Sequence, residues 1–291
     1  MKTQSIDTSP DAERVLIEMI RKASITKRFA FVQSWTASMF EGARLYEQEQ
    51  HPKASYEETR LLFAEREYGK NLVDKVRQDL QTYGIQIATN PDYRQAIYPL
   101  TEIFEKLDVP YALSGSLASS LHGMQRATLQ LDLIADLHQQ HTTPLCEQLA
   151  SQYCFCKEEI KIALEERVPF IKLIHLKSLL KIVITFPDIP VTGQQLFQRA
   201  WHVPLVEGER TIAVLAPEDV ILLLLDSFKK SNERADDLWY DLLAVVKVQS
   251  TDLNMPFLKE RAAIFNATEL LKRAIDDAGI TDTQLFCVRG I

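Results

Sequence analysis

The chain has 291 residues, 46% of them apolar and 25% charged, a balance suited to a globular protein of one large or two modest domains with a sizeable core. The formal charge of -7 falls wholly beyond residue 85, because residues 1–85 hold 13 basic and 13 acidic side chains while the rest holds 20 and 27. That argues against coating bulk DNA through a basic face, and the longest apolar runs, 221–225 and 242–246, fall far short of the roughly 20 residues that span a bilayer.

Residues 7–83 read as helical throughout. Thr8-Ser9 before Pro10 is a helix start with proline in the first turn, and Val15, Leu16, Met19 and Ile20 follow at helical spacing. A second helix is expected over 27–50, with Phe31, Trp35 and Met39 in its buried stripe and His51-Pro52 at its end. Ser55, with Glu58 at the capping-box position, starts a third that stops at Gly69. The low-charge stretch 84–90 reads as a linker. The expected organisation is therefore a helical module over 1–85, an α/β domain over 91–216 and a helical region over 217–291.

In the middle segment a helix over 93–107 precedes a strand over 109–113, which runs into Ser114-Gly115-Ser116 and a short helix closed by His122-Gly123. A strand over 129–137 follows in near-continuous apolar alternation. Further on come a helix over 142–151, a strand around 153–155, a hairpin-like pair over 170–176 and 179–186, a helix near 193–200 and a last strand over 211–215. Pro217-Glu218-Asp219 opens the helical remainder. The fold class is α+β: a mixed sheet flanked by helices.

The four cysteines, Cys146, Cys154, Cys156 and Cys287, lack the paired spacing of a zinc site. Cys154 and Cys156 flank Phe155 at strand spacing, which would set both thiols on one face. With no charged-then-apolar leader at the N-terminus, free thiols and a cytoplasmic location are expected.

The order Gly115-Ser116, then Arg126-Ala127-Thr128, then Gln130-Leu131-Asp132-Leu133-Ile134-Ala135-Asp136 resembles the bacterial nucleotidyltransferases that include the AbiEii-type toxins and relatives of the minimal nucleotidyltransferases. The resemblance extends to Pro217-Glu218-Asp219, to Trp239-Tyr240-Asp241 and to the tail 258–278, covering about residues 92–279. It implies that Gly115, Ser116, Arg126 and Thr128 bind nucleotide and that carboxylates on the strand after Thr128 hold magnesium. In that family the strand reads Asp-x-Asp, a later strand adds a third Asp, and a Lys follows the Pro-Glu-Asp element. Here those positions read Gln130, Asp132, Val183 and Leu224. Asp132 is the one carboxylate retained as a catalytic and metal-binding residue, and Asp136 stands about 13 Å further along the strand. The expected protein therefore has the fold with a degenerate site. It would act by binding a nucleotide, RNA such as tRNA, or a protein partner. The alternatives are a working magnesium-dependent toxin-type transferase and an antitoxin-like interaction scaffold. The 51–69 segment also resembles small helical proteins encoded beside such enzymes, which implies a fusion of two partners.

His122 reads as a C-terminal helix cap, Arg126 as a residue that could pair with a surface carboxylate, and Lys172 and His175 as strand residues that could face a cleft.

Overall fold

The computed structural model describes residues 2–4, 7–89 and 92–280; the expected boundary at residues 90 and 91, and Cys287, lie outside the described residues. Local chemistry sets the first helices. In α1 (Pro10–Lys22) the Ser9 side chain accepts from the Ala12 amide. After α2 (Ile25–Gln50), Ser55 caps α3 (Tyr56–Tyr68) by accepting from the Glu58 amide, and Gly69 separates α3 from α4 (Lys70–Tyr83).

The buried sides of the first two helices differ from expectation. Phe31 and Trp35 are 44% and 50% exposed, while Phe29, Val32, Thr36 and Phe40 of the same helix are buried. In α1 the buried positions are Glu13, Ile17 and Ile20, and Val15, Leu16 and Met19 face outward. Both helices carry apolar residues on more than one face, so spacing alone does not choose the packed one.

The central elements follow as α5 (Tyr93–Lys106), β1 (Tyr111–Ser114), α6 (Gly115–His122), β2 (Gln130–Ala135), α7 (Thr142–Leu149), β3 (Tyr153–Cys154), α8 (Lys157–Glu166), β4 (Phe170–His175) and β5 (Lys181–Thr185). Then come α9 (Ile189–Thr192), α10 (Leu196–Arg199), β6 (Trp201–Pro204), β7 (Thr211–Val214), α11 (Pro217–Lys230), α12 (Asp236–Gln249), α13 (Met255–Ile264) and α14 (Thr268–Ala278). Among the described residues seven strands form one mixed sheet, ordered β3-β4-β5-β2-β1-β7-β6, flanked by helices. The α+β architecture is thus as expected. Two details are not. The helix expected near 193–200 is the single turn Leu196–Arg199, preceded by a separate turn, Ile189–Thr192, and a strand, β6, pairs antiparallel with β7, which is therefore not the sole strand after β5. The expected strand alternation at Cys154 and Cys156 fails because β3 stops at Cys154 and Cys156 becomes the residue preceding α8.

By contacts the chain resolves into two compact units that interleave along the sequence: Met1–Val32 with Ala112–Arg126 and Pro187–Ile291, and Gln33–Tyr111 with Ala127–Phe186. The divisions expected from the sequence stand at 85–91 and 216–217. In the first unit, Ile17 and Ile20 of α1 pack with Val248 and Met124, and Glu13 meets Lys247 of α12 at 2.8 Å with both side chains 1% exposed. In the second, Leu61 of α3 and Val73, Val76 and Leu80 of α4 share one core with Cys154 and Ile174 of β3 and β4.

Candidate functional site

The residues singled out by the sequence fall into two clusters, one in each unit. In the first unit, β1 is buried along its whole length and passes directly into α6 through Gly115, whose φ of 56° is a left-handed conformation that other residues adopt only with strain. Ser116 stands in the first turn, and its Oγ accepts from Nη2 of Arg126 at 2.6 Å. The same guanidinium forks onto Asp241 of α12: Nε donates to Oδ1 and Nη2 to Oδ2, each at 2.7 Å. A two-pronged contact of this kind fixes orientation as well as charge. Asp241 is buried, so its partner is not the surface carboxylate expected for Arg126. Burial pushes the Asp241 carboxyl up from its ordinary range, against the pull of Arg126.

Helices α6 and α12 touch at the backbone. A Cβ placed on Gly123 would come within 2.7 Å of the Val245 nitrogen and 2.8 Å of the Ala244 carbonyl carbon, so only glycine permits this approach. His122, beside it, is not a helix cap. Its ring is buried, Nε2 donates to the Leu215 carbonyl at 2.7 Å, and the edge of the ring meets Trp201 at 4.9 Å between centroids. Burial, with the Arg28 charge adding to it, lowers the His122 pKa to about 4, and the ring is neutral at pH 7. A cavity of about 320 Å³ opens beside Arg126, but Glu13, Asp237 and Asp241 in its wall outnumber that one cation. A wall of this sign disfavours phosphate.

The second cluster lies on β2 and the segment that leads into it. Thr128 is held by the rest of its own unit: its amide donates to Thr36 Oγ1 at 3.2 Å, the Tyr93 hydroxyl donates to its carbonyl, and Thr36 and Tyr93 bond each other at 3.0 Å. Its side chain accepts from the Gln130 amide at 3.4 Å. This anchoring sets the start of β2. Gln130 and Asp132 then point the same way, two residues apart, and the Gln130 amide donates to Asp132 Oδ1 at 2.5 Å.

Strand β5 runs parallel to β2 with Asp132 opposite Val183 and Gln130 opposite Lys181; β4 runs antiparallel to β5 with Lys172 opposite Val183. The position where the resemblance implies a third acid is thus beside Asp132 in space, and it holds a 9% exposed valine. Asp136 lies further along the chain and faces His138 at 3.2 Å. Asp188 belongs to the other unit, where Lys230 stands 3.9 Å away. Among the described residues no group of three His, Cys, Asp or Glu side chains is arranged to hold a metal ion. One carboxylate whose oxygen already accepts from an amide, next to a valine and lysines, does not fit a divalent cation that prefers several hard oxygen ligands.

Lys172 and His175 do not share a face. His175 is buried and bonds Ser178 at 2.8 Å inside the β4–β5 turn, with its pKa lowered to about 4 by burial. Lys172, three residues earlier, is on the opposite, exposed side. Asp241 and Lys181 were not assigned roles from sequence. Asp241 sits in the Trp239-Tyr240-Asp241 element, but its partner Arg126 is 115 residues away. Lys181 becomes visible only through the register.

No family model matches the chain, and no curated protein matches it. Among solved structures, one described as an antigenic nucleotidyltransferase-like protein from Paracoccidioides brasiliensis is similar at 15% identity and a TM-score of 0.40, over 67% of this chain and 98% of that one.

Proposed function

We propose that this chain is a nucleotidyltransferase-fold protein that binds a nucleotide and does not transfer it. The observation that carries the reading is the β2–β5 register, which sets Val183 opposite Asp132 with Gln130 beside it. The sequence likeness to the AbiEii-type nucleotidyltransferases supports the fold assignment, as do the Gly115 turn entering α6 and the Ser116–Arg126 contact. Metal-assisted transfer needs divalent ions to neutralise the triphosphate and to activate the attacking oxygen. Each missing carboxylate forfeits attraction to a divalent ion of about 8 kcal/mol at 4 Å with an effective dielectric near 20, before desolvation is subtracted. Magnesium therefore belongs only to the alternative in which transfer survives. Cytoplasmic residence accords with the free thiols Cys146, Cys154 and Cys156. Among the described residues no helix is long and apolar enough to cross a membrane.

The test is labelled-nucleotide transfer with magnesium or manganese to tRNA and to protein, alongside calorimetric titration with each nucleoside triphosphate. Binding without transfer is expected. Metal-dependent transfer abolished by Asp132→Ala would overturn the reading and restore the toxin-type enzyme.

A second reading, an interaction scaffold of the antitoxin kind, is favoured by the outward-facing Val15, Leu16 and Met19 of α1, which are 62%, 45% and 65% exposed. Side chains of this size on one exposed helix turn are usual at partner surfaces. A mass by light scattering that matches the monomer, unchanged when Leu16 and Met19 are replaced by Ser, would count against self-association through this turn.

A further inference from the structure

One face of the second unit's strands carries more positive than negative charge. Paired residues point the same way, so Gln130 and Asp132 of β2 lie on the same side as Lys181 and Val183 of β5 and Phe170 and Lys172 of β4. Lys172 and Phe170 are exposed, and Lys181, Gln130 and Asp132 are half-buried, which leaves this side reachable from solvent. Buried Val183 is the apolar residue between Asp132 and Lys172, while Ile174, beside Lys181, is covered by the core that α3 and α4 share with β3 and β4 and bounds the open part of the face.

Charge pairing across the ladder is incomplete by design of the register. Lys172 stands opposite Val183, and Lys181 stands opposite Gln130 on one side and Ile174 on the other. No acid is directly opposite either ammonium. The acid of this face, Asp132, is diagonal to Lys181 and takes the Gln130 amide on Oδ1. The Lys172 ammonium lies 4.9 Å from the centroid of the Phe170 ring, which is 39% exposed. Adjacent strands are about 4.8 Å apart, so the two lysines and the carboxylate occupy a patch about 10 Å wide. That matches an extended polyphosphate, given the reach of lysine side chains.

We infer that this face binds the polyphosphate of a nucleoside triphosphate without a divalent ion, Lys172 and Lys181 supplying the positive charge that metal-holding carboxylates recruit elsewhere, with Phe170 as a flat apolar neighbour. The nucleoside part of this inference rests on the nucleotide-binding reading above; the anion part does not. The consequence for Asp132 is a reversal of sign. A metal ligand strengthens triphosphate binding, whereas a lone carboxylate among lysines repels it.

The experiment is calorimetric titration of the full chain with the four nucleoside triphosphates and with inorganic tripolyphosphate, in chelator and in magnesium. Binding in chelator is expected, weakened about tenfold by Lys172→Glu and again by Lys181→Glu, since a charge-assisted contact is lost each time. Lys172→Arg should keep it, and Asp132→Asn should tighten it about threefold. Thermal melts of the exposed Lys172→Glu variant, expected to match the parent, separate lost binding from lost folding. Binding that requires magnesium and weakens in Asp132→Asn overturns the inference and leaves the nucleotide reading standing. Tripolyphosphate binding through the lysines, with no nucleotide bound, keeps the anion site and overturns the nucleotide reading. Absence of binding by either overturns both.

Discussion

The Arg126 cluster and the Asp132 face are built to opposite standards. Arg126 itself meets fixed counterparts: Asp241 takes both prongs of the guanidinium, Ser116 takes a third bond, and α6 and α12 close until only Gly123 fits. On the Asp132 face the neighbours are a glutamine, a valine and lysines that stand opposite uncharged residues. The first arrangement holds a fold together through buried, oriented contacts. In the second, neither lysine has an acid directly opposite it.

That contrast can be broken by stability measurements. The largest effect is expected at the helix contact: Gly123→Ala forces the Val245 and Ala244 backbone to move and should cost about 3 kcal/mol in urea unfolding, whereas an unchanged midpoint would mean that α6 and α12 do not meet this closely. A comparable effect should appear with pH at His122. Its folded pKa, about 4, lies below the ordinary 6.5, so the stability it contributes is complete above pH 6.5 and is lost as pH falls through 4. The wild type should therefore lose about 3 kcal/mol more than His122→Gln between those limits. His175, also near 4, and Asp219, which burial pushes up to about 6 against Arg199 and which slopes the other way, are common to both proteins and cancel in the difference. Equal slopes in wild type and variant would refute the neutral buried ring.

Asp241→Ala should cost about 2 kcal/mol, because it frees a guanidinium that is 39% exposed and can recover water. The smallest effect belongs to the other cluster: Asp132→Ala should change stability by no more than about 0.5 kcal/mol. If Asp132→Ala proved as costly as Asp241→Ala, the carboxylate would be a structural element and the contrast between the two regions would collapse.

Much of the architecture was legible in advance where its cause is local. Ser9 and Ser55 cap helices through bonds within three residues, and the alternation after Thr128 marks β2 by itself. That Gln130 and Val183 occupy positions where the resemblance implies acids was also readable, because the resemblance orders those positions along the chain. The burial of Phe29 and Phe40 in place of Phe31 and Trp35 was not: apolar residues surround α2, and the choice of face depends on what packs against it. Strand β6, four residues with exposed Trp201 and His202, exists through its ladder to β7 and has little signal of its own.

For this protein, then, the sequence by itself determined most element types, the Gly115 turn and the presence of Gln130 two residues before Asp132, since each depends on residues a few positions apart. Only the tertiary structure decided what those residues face. Asp241 reaches Arg126 across 115 positions, and the pairing of β2 with β5, and of β5 with β4, puts Val183 and Lys181 one strand from Asp132 and Lys172 two strands away. Register and helix approach are properties of packed backbones, which no short run of residues encodes.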